Sequence, residues 1–365
     1  MGNRLPTREQ IERAPKVLLH DHLDGGLRPE TVIELADETG YADLPTTDPV
    51  ALSEWMRRGA DRKDLVLYLE TFAHTVGVMQ TPEAIHRVAR ECAEDLAADG
   101  CVYAEVRFAP ELHVEKGLSM DEAIEAVTAG FADGSSGTDL TIRTLCSAMR
   151  HLDRSLEVSQ AAVRWRERGV IGFDIAGPEK GYPPDDHMLA FQYAQRENFH
   201  FTIHAGEAYG PPSIWKALQW CSAERLGHGV RIVDDINVDA DGQATLGRLA
   251  HYVRDRRIPL EVCPTSNLHT GVVDDLADHP IRLFKELRFR VTLNTDNRLM
   301  SNISMTDEMM HMVETFGWDL PDMQWLSVNA MKSGFLPFDE RLALINDVVK
   351  PRYAELIAEA AALPA

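Results

Sequence analysis

The sequence predicts an α/β protein of the TIM (β/α)8 barrel class, with extra helices over the carboxyl-terminal face of the barrel. Eight short apolar segments alternate with helical segments along the 365 residues, as in a closed barrel of parallel strands. Most of these segments are continuous apolar runs, which is typical of strands buried on both faces. A doubly wound open sheet is the alternative, but no glycine-rich phosphate loop follows the first strand.

The strands follow one another in chain order. They are predicted at 16–20, 102–108, 142–148, 170–176, 199–204, 224–229, 258–263 and 289–295. The segment 177–186 follows the fourth strand directly, so we interpret it as a loop at a strand exit rather than a domain boundary. Because no linker interrupts the alternation, we predict one domain over residues 1–365.

Capping residues mark two of the helices between the strands. Thr81 is predicted as an N-cap with Pro82 at the first helical position, and Gly100 as the stop. Ser119 and Glu122 have the spacing of a capping box at the start of the next helix.

Charge and cysteine content limit the class of partner. Acidic residues outnumber basic ones 58 to 37, for a net charge of −21, which argues against nucleic acid and anionic membrane partners. A small, roughly neutral substrate fits better. The five cysteines are scattered and form no C-x-x-C pair, which predicts a reducing compartment. The first ten residues lack the apolar core of a signal peptide, and Pro6 breaks the myristoylation pattern. We therefore predict a cytoplasmic protein.

Unusual polar residues collect where the predicted strands end. Barrel enzymes keep their active sites at the carboxyl ends of the strands, so this distribution is more informative than any single residue. The residues concerned are His20, His22 and Asp24 after the first strand, Gly177 after the fourth, His204 and Glu207 after the fifth, His228 on the sixth, Glu261 in the seventh, and Asp296 and Asn297 after the eighth.

A metal site is the chemistry that the histidines predict. His20 and His22 project from the same side of a strand, because side chains alternate with a period of two. With His204 and Asp296 they form a His₃Asp set, which suits one Zn²⁺ per chain and a water molecule whose pKa falls toward ~7. Taken alone, each residue has a simpler interpretation, such as a core histidine or, for Asp296, a helix N-cap. Four such coincidences at strand exits are harder to accept.

Two further residues have the character of acid–base groups. Glu207 lies three residues after His204 and is predicted as a general acid or base, although a helix N-terminal acid is the alternative. His228 is predicted to hold the attacking water or accept its proton. Glu261 is predicted to orient His228 through its second ring nitrogen, so that Glu261→Gln lowers turnover with no change in metal content.

The motifs as a set resemble those of the adenosine deaminases. The strings LLHDHLDG, DIAGPE, IHAGE, RLGHG, LEVCPTSN, LNTDN and NAMKSGFLP occur in the order found in that family, over residues from about 15 to about 355. The resemblance implies a zinc-dependent barrel enzyme of purine metabolism that converts adenosine, and also 2′-deoxyadenosine, to the inosine product and ammonia.

The resemblance also implies roles for individual residues. His20, His22, His204 and Asp296 correspond to the zinc ligands. Glu207 corresponds to the proton donor to purine N1, and His228 to the residue that orients and deprotonates the water. Gly177 corresponds to the backbone donor to N3, and Asp24 to the acid that meets the ribose 5′-hydroxyl.

The segment 64–76 has two interpretations. Its apolar residues Leu65, Leu69, Phe72 and Val76 recur at helical spacing, and this pattern by itself predicts an amphipathic helix lying on the barrel. The resemblance adds that Leu65, Tyr68, Leu69 and Phe72 form an apolar lid over the purine.

One position departs from the family pattern. The usual Asp-Asp-Pro reads Asp296-Asn297-Arg298 here. The second acid normally pairs with purine N7, which is a hydrogen-bond acceptor. An asparagine amide donates to N7 without first taking up a proton, so we predict that Asn297 keeps this contact.

Other enzymes and non-enzymes remain as alternatives. A sister deaminase acting on adenine or aminodeoxyfutalosine fits most of the same motifs. An AMP deaminase needs cations for the phosphate, and Lys180 is the main loop cation. The cytidine-type zinc deaminases use P-C-x-x-C, which is absent here, and a binuclear barrel hydrolase needs a lysine that the fourth strand lacks. A silent zinc- or purine-binding protein needs neither Glu207 nor His228.

Overall fold

Eight parallel strands form the centre of the computed structural model, which describes residues 5–362. Each strand pairs with the next one along the barrel. The first and last strands meet through the backbone: the His22 N–H donates to the Asp296 carbonyl at 2.7 Å, and the Asp296 N–H donates to the His20 carbonyl at 2.9 Å. The strands are Lys16–His22, Cys101–Phe108, Thr141–Met149, Val170–Ala176, His200–Ala205, Arg225–His228, Pro259–Val262 and Arg290–Leu293.

The predicted barrel is therefore confirmed, with strand ends displaced by two residues at most. The first two strands are buried along their whole length, as their continuous apolar runs predict. The interior of the barrel also contains charged side chains that the apolar pattern does not predict, including Glu105, Arg107 and Arg225.

Helices cover the outside of the barrel and the face at the carboxyl ends of the strands. The α-helices are Arg8–Arg13, Pro29–Thr39, Pro49–Ala60, Leu65–Leu69, Phe72–Val78, Pro82–Ala98, Met120–Ser135, Ser155–Arg164, Met188–Arg196, Pro211–Gln219, Arg248–Asp255, Pro264–His269, Ile281–Glu286, Arg298–Ser301, Met305–Phe316, Leu320–Ser333, Phe338–Ala343 and Lys350–Ala362. Short 3₁₀ turns are Leu23–Gly25, Pro110–His113, Arg166–Arg168, Pro184–His187, Val230–Asp235 and Leu276–Asp278, and Leu344–Val349 is a π-helical turn.

The capping predictions hold. The Thr81 hydroxyl accepts a hydrogen bond from the Ala84 N–H at 3.2 Å, and Ser119 and Glu122 form the reciprocal capping box. Gly100 follows the first of these helices with a φ of 80°, which glycine adopts without steric cost. These local interactions fix where each helix begins or ends.

Two local features differ from the sequence expectations. The segment 64–76 is two short helices rather than one, because the Thr71 hydroxyl donates to the Tyr68 carbonyl at 2.7 Å and competes with the helical hydrogen bond there. A hairpin of Ile236–Val238 and Ala244–Leu246 was not predicted, since strands of three residues are too short to show periodicity.

Within residues 5–362, no helix combines the length and the apolar character needed to cross a bilayer. Residues 1–4, which form part of the segment without a signal-peptide pattern, lie outside the described residues.

Candidate active site

A cavity of about 520 Å³ opens at the carboxyl ends of the strands. Sequence-predicted residues from different strands and from the segment 64–76 meet in its wall. Those that line it are His22, Asp24, Leu65, Tyr68, Leu69, Phe72, Gly177, His204, Glu207, His228, Asp296 and Asn297. His20 and Glu261 are fully buried beneath it. The volume is in the range of small-molecule sites.

The four predicted metal ligands converge at the base of this cavity. The side-chain donor atoms of His20, His22, His204 and Asp296 all lie within 4.8 Å of one another. His22 Nε2 lies 3.3 Å from His204 Nε2 and 3.4 Å from Asp296 Oδ1. His20 Nε2 is also 3.4 Å from Asp296 Oδ1. The sequence prediction thus corresponds to one cluster in space.

Buried carboxylates hold the far nitrogens of two of these rings. Glu261 Oε2 lies 2.8 Å from His20 Nδ1, and Asp174 Oδ2 lies 2.8 Å from His204 Nδ1. Arg107 lies between the two acids and donates to both, at 2.9 Å to Asp174 and 2.8 Å to Glu261. A carboxylate that accepts the Nδ1 proton leaves Nε2 free to bind a metal.

The charges of these acids are maintained by their surroundings. Burial alone would raise the pKa of Glu261, but Arg225 and Arg107 hold that pKa well below its ordinary value. Burial also opposes ionisation of Asp174, whereas His204 and Arg107 lower its pKa. Both acids are therefore carboxylates at neutral pH.

The donor set fits a zinc ion. Two ligands bound at the Zn–N distance of about 2.0–2.1 Å in a tetrahedral arrangement lie roughly 3.3 Å apart, close to the 3.3–3.4 Å separations seen here. His20 Nε2 is buried and makes no hydrogen bond to the described part of the protein. Burial lowers the pKa of both His22 and His204, so their imidazoles are neutral, as metal binding requires.

Asp296 is held in place by its backbone and by a neighbouring hydroxyl. Its φ of 62° lies in the left-handed region, which residues of a regular strand do not adopt. Ser266 Oγ donates to Asp296 Oδ2 at 2.6 Å, leaving Oδ1 toward the rings. Strained residues of this kind are common at functional sites.

Glu207 is a buried carboxyl group on a tightly held turn. Glu179 accepts hydrogen bonds from four successive backbone N–H groups of this turn, at 2.6 to 3.1 Å from the nitrogens of residues 206–209. Burial, Asp296 and Glu179 raise the pKa of Glu207 well above its ordinary value. The raised pKa favours the protonated form of Glu207, which is the form that a proton donor needs.

His228 faces Glu207 across the cavity wall. His228 Nε2 lies 3.5 Å from Glu207 Oε2 and 4.0 Å from Asp296 Oδ2, and its φ of 59° is left-handed. Its second nitrogen, Nδ1, lies 3.1 Å from Asn267 Nδ2.

The expected pairing of Glu261 with His228 is therefore wrong. Glu261 contacts His20 instead, and Asn267 takes the position behind His228. Glu261 points into the barrel interior, where it also meets Arg107 and Arg225. Adjacent strands do not imply adjacent side chains, because each side chain points to one of two faces.

The opposite part of the cavity carries groups suited to a polar ligand. Asp24 is buried, its Oδ1 has no hydrogen-bond partner among the described residues, and burial raises its pKa to about 7. Asn297 Oδ1 is similarly unpaired within residues 5–362. Gly25 packs against this amide so closely that a Cβ at position 25 would lie 2.0 Å from Asn297 Oδ1.

Several residues that position the site were missed by the sequence analysis. Two features of the sequence could have identified them. Asp174 and Arg107 are charged residues inside apolar strands, and Glu179, Ser266 and Asn267 belong to motifs that were noted without assigning their side chains. A charge within a buried strand has to be paired, so it predicts a partner across the barrel.

Comparison with known proteins gives a consistent result. A family model described as adenosine deaminase matches residues 15–351. The chain is similar to adenosine deaminase 1 of Streptomyces coelicolor, with 64% identity covering 98% of this chain and 91% of that protein. It is also similar to adenosine deaminase of Mycobacteroides abscessus, with 61% identity over 95% of this chain and 97% of the relative.

Solved structures share the same barrel. An amidohydrolase from Burkholderia ambifaria with bound zinc is 25% identical, with a TM-score of 0.83 and coverage of 100% of this chain and 97% of that one. An adenine deaminase from Arthrobacter aurescens is 24% identical, with a TM-score of 0.82 and coverage of 94% and 99%. At 24% identity, the similarity to the adenine deaminase supports the fold and carries no information about the substrate.

Proposed function

The chain belongs to the adenosine deaminase family, and we propose that its cavity converts adenosine and 2′-deoxyadenosine to the corresponding inosine and ammonia. One observation carries this proposal. A buried carboxyl group with a raised pKa, Glu207, and an imidazole, His228, face the same gap as the four converging ligands. A protein that only binds purines or zinc has no use for this combination.

His20, His22, His204 and Asp296 would hold one zinc ion. The ion, when bound, lowers the pKa of a water molecule so that hydroxide is available near neutral pH. Glu261 and Asp174 orient two of the imidazoles, and Arg107 fixes both acids. This chain thereby supplies a preorganised cation site.

Glu207 would donate its proton to purine N1. Protonation of N1 draws electrons from C6, so the oxygen of water forms a bond to C6 more readily. The exocyclic amine then leaves with a proton as ammonia, and the C6–O group remains as the inosine carbonyl. His228 would hold the oxygen nucleophile in line with C6.

The remaining contacts would orient the nucleoside. The backbone N–H of Gly177 would donate to N3, and Asn297 to N7. Asp24 would meet the ribose 5′-hydroxyl at the far end of the cavity. Leu65, Tyr68, Leu69 and Phe72 line the cavity and would cover the purine as a lid, excluding competing water.

A nucleoside suits this cavity better than a nucleotide. The described residues that line it include no arginine and no lysine, whereas a phosphate needs such donors. The ionised form of Asp24 would in addition repel a phosphate at the ribose 5′ position.

The proposed reaction is tested by mixing the protein with adenosine and measuring ammonia release and the fall in absorbance at the adenosine band. We expect turnover of adenosine and 2′-deoxyadenosine, and little turnover of adenine or AMP. Turnover of adenine in preference to adenosine would assign the protein to the sister 6-aminopurine deaminases.

We also propose that residues 1–365 form a single domain and that the protein is cytoplasmic. The proposed location rests on the free, buried cysteines.

Replacing Asn297 with alanine is expected to weaken catalysis of adenosine deamination about tenfold in kcat/KM. The lost hydrogen bond to N7 accounts for about 1–1.5 kcal/mol, and 1.36 kcal/mol is a factor of ten. The measurement compares adenosine with 7-deazaadenosine, which has no N7 acceptor. Because Asn297 has no partner there, Asn297→Ala should change 7-deazaadenosine kinetics far less. Equal losses on both substrates would show that Asn297 does not contact N7.

Replacing Glu179 with glutamine is expected to lower kcat about tenfold or more. The amide has one acceptor oxygen for four N–H donors, and its NH₂ group opposes at least one of them. The change also removes a negative charge that raises the pKa of Glu207. That pKa falls, so the alkaline limb of the kcat/KM profile should move to lower pH.

Asp186→Asn is the matched control for Glu179, since Asp186 is an exposed acid on the same loop. It should leave the pH profile unchanged. An unchanged alkaline limb in Glu179→Gln would separate Glu179 from the ionisation of Glu207.

A further inference from the structure

Three hydrogen bonds form a buried row behind His228. The Ile281 N–H donates to His279 Nδ1 at 3.1 Å. His279 Nε2 lies 3.2 Å from Asn267 Oδ1, and Asn267 Nδ2 lies 3.1 Å from His228 Nδ1. Asn267, His279 and His228 are each at most 2% exposed, so water does not replace any of these partners.

The Ile281 N–H determines which atom donates and which accepts in each of these hydrogen bonds. A backbone N–H can only donate, so His279 Nδ1 must be the bare acceptor nitrogen of its ring. Burial lowers the pKa of His279 to about 3, so this ring is neutral and carries its one proton on Nε2. His279 Nε2 is therefore a donor, and the atom of Asn267 that faces it must be the oxygen.

The orientation of the Asn267 amide in turn determines which nitrogen of His228 carries the proton. Since Asn267 presents its oxygen to His279, it presents its NH₂ group to His228 Nδ1. His228 Nδ1 is then an acceptor without a proton, and the neutral ring carries its proton on Nε2. If the amide were reversed, His279 would need a proton on Nδ1, and two donors would face each other at Ile281.

We infer that Asn267 and His279 are positioning residues that hold His228 with its proton on Nε2, so that His228 presents a hydrogen-bond donor to the reacting centre. This inference rests on the proposed function of the cavity. Nε2–H points to the gap between Glu207 and Asp296, where it can stabilise an oxygen nucleophile. It cannot accept a proton from that nucleophile.

Two consequences follow for the chemistry of the site. The proton that water gives up as its oxygen bonds to C6 must pass to a group other than His228, and Asp296 Oδ2 lies 4.0 Å from His228 Nε2. In addition, a ring with Nδ1 engaged by Asn267 and a proton on Nε2 cannot bind a metal. His228 belongs to two alternative three-residue clusters of ligand atoms, and the inference excludes both of them as metal sites.

The direct test is the ¹⁵N spectrum of the histidine side chains in the zinc-loaded protein labelled with ¹⁵N-histidine. The His228 signals are assigned by their loss in His228→Gln. We expect His228 Nε2 to appear as a protonated nitrogen and Nδ1 as a bare one. A proton on Nδ1 with a bare Nε2 would overturn the inference. The spectrum reports the position of the His228 proton even if adenosine is not a substrate. A failure of this inference can therefore be distinguished from a failure of the proposed function.

Asn267→Asp reverses the direction of the hydrogen bond to His228 with a minimal change in shape. The carboxylate accepts from both rings, so the His228 proton should move to Nδ1, and kcat should fall about tenfold or more through loss of the Nε2 donor. Zinc content, measured by metal analysis, should stay at the wild-type value. An unchanged or increased kcat together with a shifted proton would show that His228 acts as a base and would overturn the inference.

A matched pair at position 279 separates positioning from packing. In His279→Gln the side-chain amide can place a donor near the original Nε2, whereas His279→Asn is too short to reach Asn267. We expect the glutamine variant to keep kcat within about threefold and the asparagine variant to lose about tenfold or more. Thermal unfolding is measured for both. Equal kcat losses that follow equal losses of stability would reduce His279 to a packing role and contradict the inference.

Discussion

Glu207→Gln is expected to lower kcat for adenosine by about 10²–10⁴-fold, the contribution typical of a general acid. Glutamine has nearly the shape of the carboxyl group and still donates a hydrogen bond, but it cannot transfer a proton to N1. KM should change little, because the hydrogen bond to the substrate remains. Steady-state kinetics with adenosine measure both constants.

The pH dependence of the wild type gives an independent check on Glu207. Burial, Asp296 and Glu179 raise its pKa, and activity requires the protonated form. Activity should thus persist above the pH at which an ordinary glutamate ionises, and it should decline as the pH rises through the elevated pKa. Zinc content and thermal stability of Glu207→Gln serve as controls. A variant that retains most of its turnover would remove Glu207 from the reaction.

Removing the metal is expected to lower turnover by about three orders of magnitude or more. A catalytic metal contributes several kcal/mol, and each 1.36 kcal/mol is a factor of ten. Dialysis against a chelator should abolish ammonia release, and added zinc should restore it. Metal analysis of the protein before and after dialysis should show one zinc per chain lost and regained.

Variants of the ligands locate the ion. His204→Ala should lower both the zinc content and kcat, since it removes one of four converging donors. His200→Ala is the matched control. His200 begins the same strand, but it is exposed at the opposite end of the barrel, where it pairs with Glu224 at 2.8 Å. Full activity in chelated, metal-free protein would disprove the metal site.

The sequence by itself determined the barrel and predicted many of the residues that line the cavity. Continuous apolar runs identify strands buried on both faces, and the eight predicted segments all became barrel strands. Because parallel barrel strands end at one face, His20, His204 and Asp296 could be placed together although they are far apart in the chain. A periodicity of two placed His20 and His22 on one side of the first strand.

The tertiary structure alone decided which side chains touch. Glu261 was assigned to the correct region but to the wrong imidazole, since strand order does not fix the partner across a barrel interior. Glu179, Asn267 and His279 acquire their roles through contacts with residues 28, 39 and 12 positions away, respectively, and no periodicity of the sequence predicts these pairings.

The physical reason for this division is that hydrophobic burial tolerates imprecise positions, whereas a hydrogen bond does not. Hydrophobic patterning reports the environment of each face of an element, and it acts through many residues that share one direction. A hydrogen bond depends on the position of two atoms to within a few tenths of an ångström and on which of them carries the proton. The sequence therefore predicts where His228 lies, whereas the folded chain decides that its Nε2 is a donor.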